Sequence, residues 1–349
     1  MLLSGMIRSS SYPNKNSSTS TSIEPSPDNL IEPATPDSDL AASLGILPVP
    51  VPSRGASNFR NTVIYGDCLK RLREMPSCFV QTVVTSPPYF RLRDYGATGQ
   101  IGLESNPEDY VESVVDVFRE LDRVLRSDGT VWLNIGDSYA GGHGGAVSGK
   151  TGKVRSPHLR SAGDVVGLKS KNLIGIPWRV AAALQAAGWS VRAQIVWHKP
   201  NGKPESVTDR PTRSYEFIFL LSKSRRYHYD AEAIYEPGRD HGKNSRDVWT
   251  IETRRSKTGH PAAFPPELPR RCILAGSRPG DLVLDPFAGS GTTLAVAKEL
   301  GRDYLGIELN EAYRPLIEAQ LRTGSARDST RRGQSARTSA RPRFTSSWD

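Results

Sequence analysis

Leu282-Val283-Leu284-Asp285-Pro286-Phe287-Ala288-Gly289-Ser290-Gly291-Thr292-Thr293 is the stretch that decides the fold class of this chain. An apolar run breaks at Asp-Pro, enters a glycine-rich turn and resumes as a helix. In α/β proteins this arrangement carries a ligand close to backbone at a helix start. Gly289 and Gly291 let the turn approach that ligand. Glu308, closing the next strand in Gly306-Ile307-Glu308-Leu309-Asn310, stands where such folds hold ribose hydroxyls. A dinucleotide fingerprint would need a third glycine where Leu294 stands, and Asp285-Pro286 is foreign to it, so a nucleoside ligand is the better reading.

Around this stretch, apolar runs bounded by turn residues predict strands at Thr62–Tyr65, Val80–Thr85, Gly129–Ile135, Trp189–Trp197, Tyr215–Leu221, Leu282–Phe287 and Tyr304–Glu308. Helical periodicity predicts Pro107–Leu125, Leu173–Ala187, Glu267–Ala275, Thr292–Leu300 and Ala312–Arg322. Pro107 opens the first of these helices, and Asp128-Gly129 reads as its stop signal. The alternation implies an α/β fold with a doubly wound, mostly parallel sheet over 58–322. Residues 1–57, rich in Ser, Thr, Pro and Asn, read as a disordered N-terminal tail in which Leu44–Val49 could dock on the core. Residues 323–349 read as a disordered basic tail. Two segments, 140–171 and 223–257, are long basic insertions, the second interleaved with Tyr227, Tyr229, Tyr235 and Trp249. Both are candidate DNA-facing elements.

Composition bounds the class. The 349 residues carry 46 Lys+Arg against 37 Asp+Glu, a net charge of +9 that favours a polyanionic partner. No apolar run approaches the roughly 18 residues of a spanning helix, and no secretory leader is visible, which argues against the membrane and for the cytoplasm. Cys68, Cys78 and Cys272 form neither a disulfide framework nor a metal motif, and read as small buried fillers.

A second stretch carries chemistry: Val83-Val84-Thr85-Ser86-Pro87-Pro88-Tyr89-Phe90. Pro87 and Pro88 fix the backbone and lack N–H donors, so carbonyls beside them are free to accept. Ser86 Oγ and the Pro87 carbonyl can then both accept from one exocyclic NH₂ group, and Tyr89 offers a face on which a base stacks.

Together the two stretches resemble the DNA amino-methyltransferases, in the permuted β class of restriction–modification systems, where S-P-P-Y precedes D-P-F-A-G-S-G. The resemblance spans roughly 60–320 and includes Trp132–Tyr139 and Asp209–Thr212. It implies the S-adenosylmethionine-dependent methyltransferase fold with inserted DNA-recognition segments, and S-adenosyl-L-methionine as cofactor. Catalytic roles fall to Ser86, Pro87, Pro88 and Tyr89. Cofactor binding falls to Asp67, Phe264, Asp285, Pro286, Phe287, Gly289, Gly291, Thr292 and Glu308; no metal is expected. Within this set Asp67 would lie beside the cofactor adenine, and His260–Pro265 near its methionine part. Glu216 and Asp137 would line the pocket or brace its loops. The serine of S-P-P-Y is most often found in N4-cytosine enzymes; an N6-adenine enzyme and a silent DNA-binding regulator are the alternatives. The partner implied is double-stranded DNA with its target base flipped out, with a cognate restriction endonuclease in the same system but not in direct contact. The protein is expected to be a monomer or weak dimer.

Overall fold

The computed structural model describes residues 56–141, 167–202, 204–236, 242–253 and 264–322. The expected tails, apart from residues 56 and 57, lie outside these residues, as do Leu44–Val49 and 142–166 of the first expected insertion. Eight strands form one sheet: β1 (Thr62–Tyr65), β2 (Val80–Thr85), β3 (Leu125–Ile135), β4 (Ser190–His198), β5 (Tyr215–Ser222), β6 (Val248–Thr250), β7 (Leu282–Asp285) and β8 (Asp303–Glu308). The helices are α1 (Cys68–Arg73), α2 (Pro107–Val124), α3 (Ile176–Ala186), α4 (Glu267–Gly276), α5 (Thr292–Glu299) and α6 over 314–322. The strand order is β1-β8-β7-β2-β3-β5-β4-β6, and only β5 runs against its neighbours.

The sheet is covered on both faces, as alternation along its strands dictates. Val83, Val131 and Phe217 enter a layer with Leu72 of α1, Phe118 and Leu121 of α2 and Val180 and Leu184 of α3. Their neighbours Val84, Trp132 and Ile218 enter the opposite layer with Cys272 and Ile273 of α4 and Val296 of α5. Cys68 is likewise buried, whereas Cys78, expected as a filler, is exposed in the turn before β2. Helix α2 starts where sequence chemistry places it. The Asn106 side chain accepts from the Asp109 amide at 2.8 Å, Pro107 needs no partner, and Glu108 and Asp109 meet the positive end of the helix.

Several boundaries differ from expectation. Helix α2 ends at Val124 and passes directly into β3, so Asp128-Gly129 is no helix stop. It sits in an irregularity where Val80 pairs Leu125 but Thr82 pairs Thr130. Strand β7 ends at Asp285 because Pro286 has no N–H and the Asp285 carboxylate turns back to accept from the Phe287 amide at 3.1 Å. Helix α3 begins at Ile176, after Gly175 with φ 79°, rather than at Leu173. Before α6, Glu311–Tyr313 form a 3-10 turn, because Asn310 accepts from the Ala312 amide at 3.0 Å.

The segment 223–257 is not wholly a surface insertion. Val248–Thr250 adds edge strand β6 to β4, and Trp249, 2% exposed, stacks on Trp132 at 6.2 Å in the core. A basic stretch with one deeply packed tryptophan folds inward because that ring buries more apolar surface than its neighbours can hold in solution. Arg225 and Arg226 are exposed where the antiparallel β5 ends, beside the start of β3, and so at the amino edge of the sheet. That edge lies opposite the carboxyl ends of the parallel strands.

Candidate active site

The chain runs from β2 to β3 on one side and from β7 to β8 on the other, so the order reverses between the adjacent parallel strands β2 and β7. Crevices outside the carboxyl ends of strands at such a switch point are where open α/β sheets bind ligands. A cavity of about 1090 Å³ opens there, lined from both quoted stretches.

Asp285 joins the two stretches. Its buried carboxylate accepts from Thr85 Oγ1 at 2.8 Å, Thr293 Oγ1 at 2.7 Å and the Phe287 amide, tying the end of β2 to the start of α5. Burial pushes its carboxyl up to about 6, against the pull of those three donors. The folded protein therefore holds this proton more tightly than the unfolded chain. The stabilisation is full below the ordinary carboxylate range and is lost as pH rises through about 6. Between about pH 7 and about pH 5 the wild type is expected to gain about 1.5 kcal/mol relative to Asp285→Asn, which has no proton to bind. Urea unfolding of both proteins at the two pH values measures this; a pH-independent difference would refute it.

On the β8 side, Glu308 accepts from the Gly289 amide at 2.7 Å and the Asn310 amide at 2.8 Å, so its carboxylate fixes the glycine turn while lining the cavity. Burial, and secondarily the nearby Asp285, push its carboxyl upward. Asp67 follows β1 and caps α1, accepting from the Lys70 amide at 2.9 Å, and also lines the cavity. Phe264, Pro286, Phe287, Gly289 and Thr292 line the same space. Gly291 does not: it caps α5 at φ 78°, and a Cβ there would lie 3.0 Å from Ile317, so its job is close packing of α6.

On the β2 side, Ser86, Pro87, Pro88 and Tyr89 line the cavity. Tyr110 of α2 donates to the Pro88 carbonyl at 2.9 Å and holds the Pro-Pro turn. Tyr89 packs against Gly136 and is pinned at its hydroxyl, which donates to Glu216 Oε2 at 2.8 Å and lies 3.2 Å from Asn134 Oδ1. Ser86 Oγ donates to the Tyr89 hydroxyl at 3.3 Å. Burial drives the Tyr89 phenol well above its ordinary value, so it stays protonated.

The family model described as DNA methylase matches residues 80–319, which hold both loops. The chain belongs to this DNA methylase family. It is 51% identical over 270 residues to the type II methyltransferase M.SmaI of Serratia marcescens, covering 76% of this chain and 92% of that protein. It is 51% identical over 254 residues to the type II methyltransferase M.Cfr9I of Citrobacter freundii, covering 72% and 84%. Among solved structures, a Thermus thermophilus protein regarded as a DNA modification methylase, in complex with S-adenosyl-L-methionine, is 26% identical with a TM-score of 0.52, covering 75% of this chain and 95% of that one. The PvuII DNA methyltransferase (cytosine-N4-specific), 18% identical, shares the fold with a TM-score of 0.58 over 77% and 92% of the two chains.

The methylase's cofactor is S-adenosyl-L-methionine, and the residues present fit it. Three carboxylates, Asp67, Asp285 and Glu308, face one side of the cavity, a set of acceptors and negative charge suited to ribose hydroxyls and to a cationic sulfonium. Phe264 and Phe287 supply apolar surface beside them. Asn134 and Lys199 bear on the site without having stood among its predicted members, and Glu216, expected to line the pocket or brace its loops, lines it. Asn134 is a polar residue in the apolar strand β3, a signal the sequence did carry. Glu216 and Lys199 form an ion pair at the mouth of the β4–β5 hairpin. Asp137, by contrast, accepts from the amides of Ser138, Gly175 and Ile176, bracing the start of α3.

Proposed function

We propose that this methylase transfers a methyl group to the exocyclic N4 of cytosine in duplex DNA at a short specific sequence, as the modification member of a restriction–modification system. The observation that carries the reading is the state of Ser86. Its one proton is directed at Tyr89, which leaves the oxygen lone pairs for an N–H of the target. A base amine is a poor nucleophile because its lone pair is delocalised into the ring. Acceptance of its N–H bonds by Ser86 Oγ and the Pro87 carbonyl would localise that pair on nitrogen, with positioning and fixed dipoles doing the catalytic work. When bound, the cofactor supplies an electrophilic methyl on sulfur. Arg93, Lys199 and Arg213 also line the cavity, a basic side suited to the phosphates around an extruded base. The relatives that are type II methyltransferases support the restriction–modification setting, and the serine of S-P-P-Y supports cytosine.

The test is product identity. Duplex DNA methylated by the protein is hydrolysed and its nucleosides separated; N4-methylcytosine is expected, and N6-methyladenine alone would overturn the choice of base. A second expectation concerns Glu308. Its replacement by alanine should weaken S-adenosyl-L-methionine binding by about 1.5–3 kcal/mol, the worth of hydrogen bonds to a charged group. Calorimetry on a folded variant with unchanged affinity would take Glu308 out of the cofactor site.

A further inference from the structure

Methylating an amine leaves a proton to be disposed of, and the two groups proposed to touch the target cannot keep it. A proline carbonyl is too weak a base, and a serine hydroxyl that accepts a proton must pass its own on. The destination has to be a carboxylate connected to Ser86 by hydrogen bonds. Among the cavity-lining acids placed around the cofactor, Asp285 is taken up by Thr85, Thr293 and the Phe287 amide, and Glu308 by the amides of Gly289 and Asn310. Asp67 caps α1. Glu216 is different: it receives the Tyr89 hydroxyl at 2.8 Å, and that hydroxyl receives Ser86 Oγ at 3.3 Å.

We infer that Ser86, Tyr89 and Glu216 form a proton relay that removes the proton of the target amine, with Glu216 as its terminal acceptor. The inference rests on the methyl-transfer reading above. The balance closes. The amine lone pair forms the N–C bond, and the C–S bonding pair remains on sulfur, which becomes a neutral thioether. The amine N–H proton passes to Ser86 Oγ, the Ser86 proton to the Tyr89 oxygen, and the Tyr89 proton to Glu216 Oε2. A cationic sulfonium and an anionic carboxylate are thereby both neutralised.

The surroundings hold Glu216 ready for this task. Lys199 Nζ pairs with its other oxygen, Oε1, and is itself held 4.1 Å from the centre of the Trp197 ring. Asn134 Nδ2 donates to Oε2 at 3.3 Å and to the Phe217 carbonyl at 3.1 Å, fixing the carboxylate against β3. The Glu216 side chain is 20% exposed and lines the cavity, so it can return the proton to water after turnover. Glu216 acts through Tyr89 and Ser86 rather than on the reacting atoms, and is a positioning residue with a proton-holding role.

The test uses the full chain in excess over duplex plasmid DNA from methylase-deficient cells, with methyl-labelled S-adenosyl-L-methionine. The single-turnover rate of label transfer is read for the wild type, Tyr89→Phe, Glu216→Gln and the double variant. Each single change is expected to slow transfer by about 10²-fold, in the range of general base catalysis. The double variant should be no slower than either, because all three cut one chain. Tyr89→Phe keeps the ring and removes only the relay atom, so it decides the matter even if Glu216→Gln folds poorly. The wild-type rate should fall in D₂O, and Tyr89→Phe should lose that isotope effect, which a purely structural change would leave in place. Tyr89→Phe within about twofold of the wild-type rate, or a double variant slowed by the product of the single effects, overturns the relay. A wild type that transfers no label at all overturns the methyl-transfer reading instead, a result distinct from active wild type with an equally active Tyr89→Phe.

Discussion

Ser86→Ala is expected to lower kcat for methyl transfer by about 10²–10³-fold, the cost of losing one preorganised polar group that matters most in the transition state. The substitution leaves the Pro87-Pro88 turn in place, since Tyr110 holds the Pro88 carbonyl from α2. It leaves the cofactor side in place too, because Asp285 and Glu308 are fixed by groups other than Ser86. Affinity for DNA and for S-adenosyl-L-methionine should therefore change little, and the loss should appear in single-turnover rate rather than in binding titrations. An alanine variant with a near-normal single-turnover rate would remove Ser86 from the chemistry.

The second large effect is expected at a residue that bears no functional group. Gly136 follows β3, and a Cβ added there would lie 2.5 Å from Tyr89 Cε2 and 3.0 Å from Cδ2. The ring has little room to retreat, because its hydroxyl is bound to Glu216 at 2.8 Å and its backbone continues the Pro-Pro turn. Gly136→Ala should cost about 1–3 kcal/mol in overpacking. Displacing the ring by an ångström or so should lower kcat/KM for DNA by about 10²-fold. Cofactor affinity, on the proposal that Asp67, Asp285 and Glu308 hold the cofactor, should stay within about twofold of wild type, given the usual independence of separated sites. Parallel calorimetry and kinetics on the variant check both halves; equal losses of cofactor binding and turnover would show that the two sides of the cavity are not independent.

Much of this arrangement could be read from the chain, and the parts that could not have physical reasons. Strands β2 and β7 were legible because they are short runs rich in Val, Leu and Thr bounded by turn residues, as in Val80–Thr85 and Leu282–Asp285. Helix α1 was missed because six residues, Cys68–Arg73, are too few to show a period. Strand β6 was missed because Val248-Trp249-Thr250 is three residues inside a basic stretch, with Trp249 as its one hint. Asp285 could be picked out beside the glycine turn, but not its bond to Thr85, which spans 200 positions and exists only once β2 and β7 lie side by side. Glu216 could be noticed but not assigned, since its partner Lys199 meets it across a hairpin whose strands pair Trp197 with Glu216. Gly291 could be picked out as part of the glycine turn, but not its close approach to Ile317, which exists only once α6 packs against that turn.

The adjacency of β2 and β7 also bears on how the protein is made. Strand β2 is synthesised early, yet its partner on one side, β7, lies some 200 positions later in the chain. Until then the fully buried run Val80–Thr85 has one unpaired edge, the kind of surface through which growing chains stick to one another. A ribosome that stops before Asp285 thus releases a chain with an open, apolar sheet edge and no cofactor cradle. An open edge of this kind is what chaperones and proteases act on, and the cradle is complete only once β7 and β8 have joined the sheet.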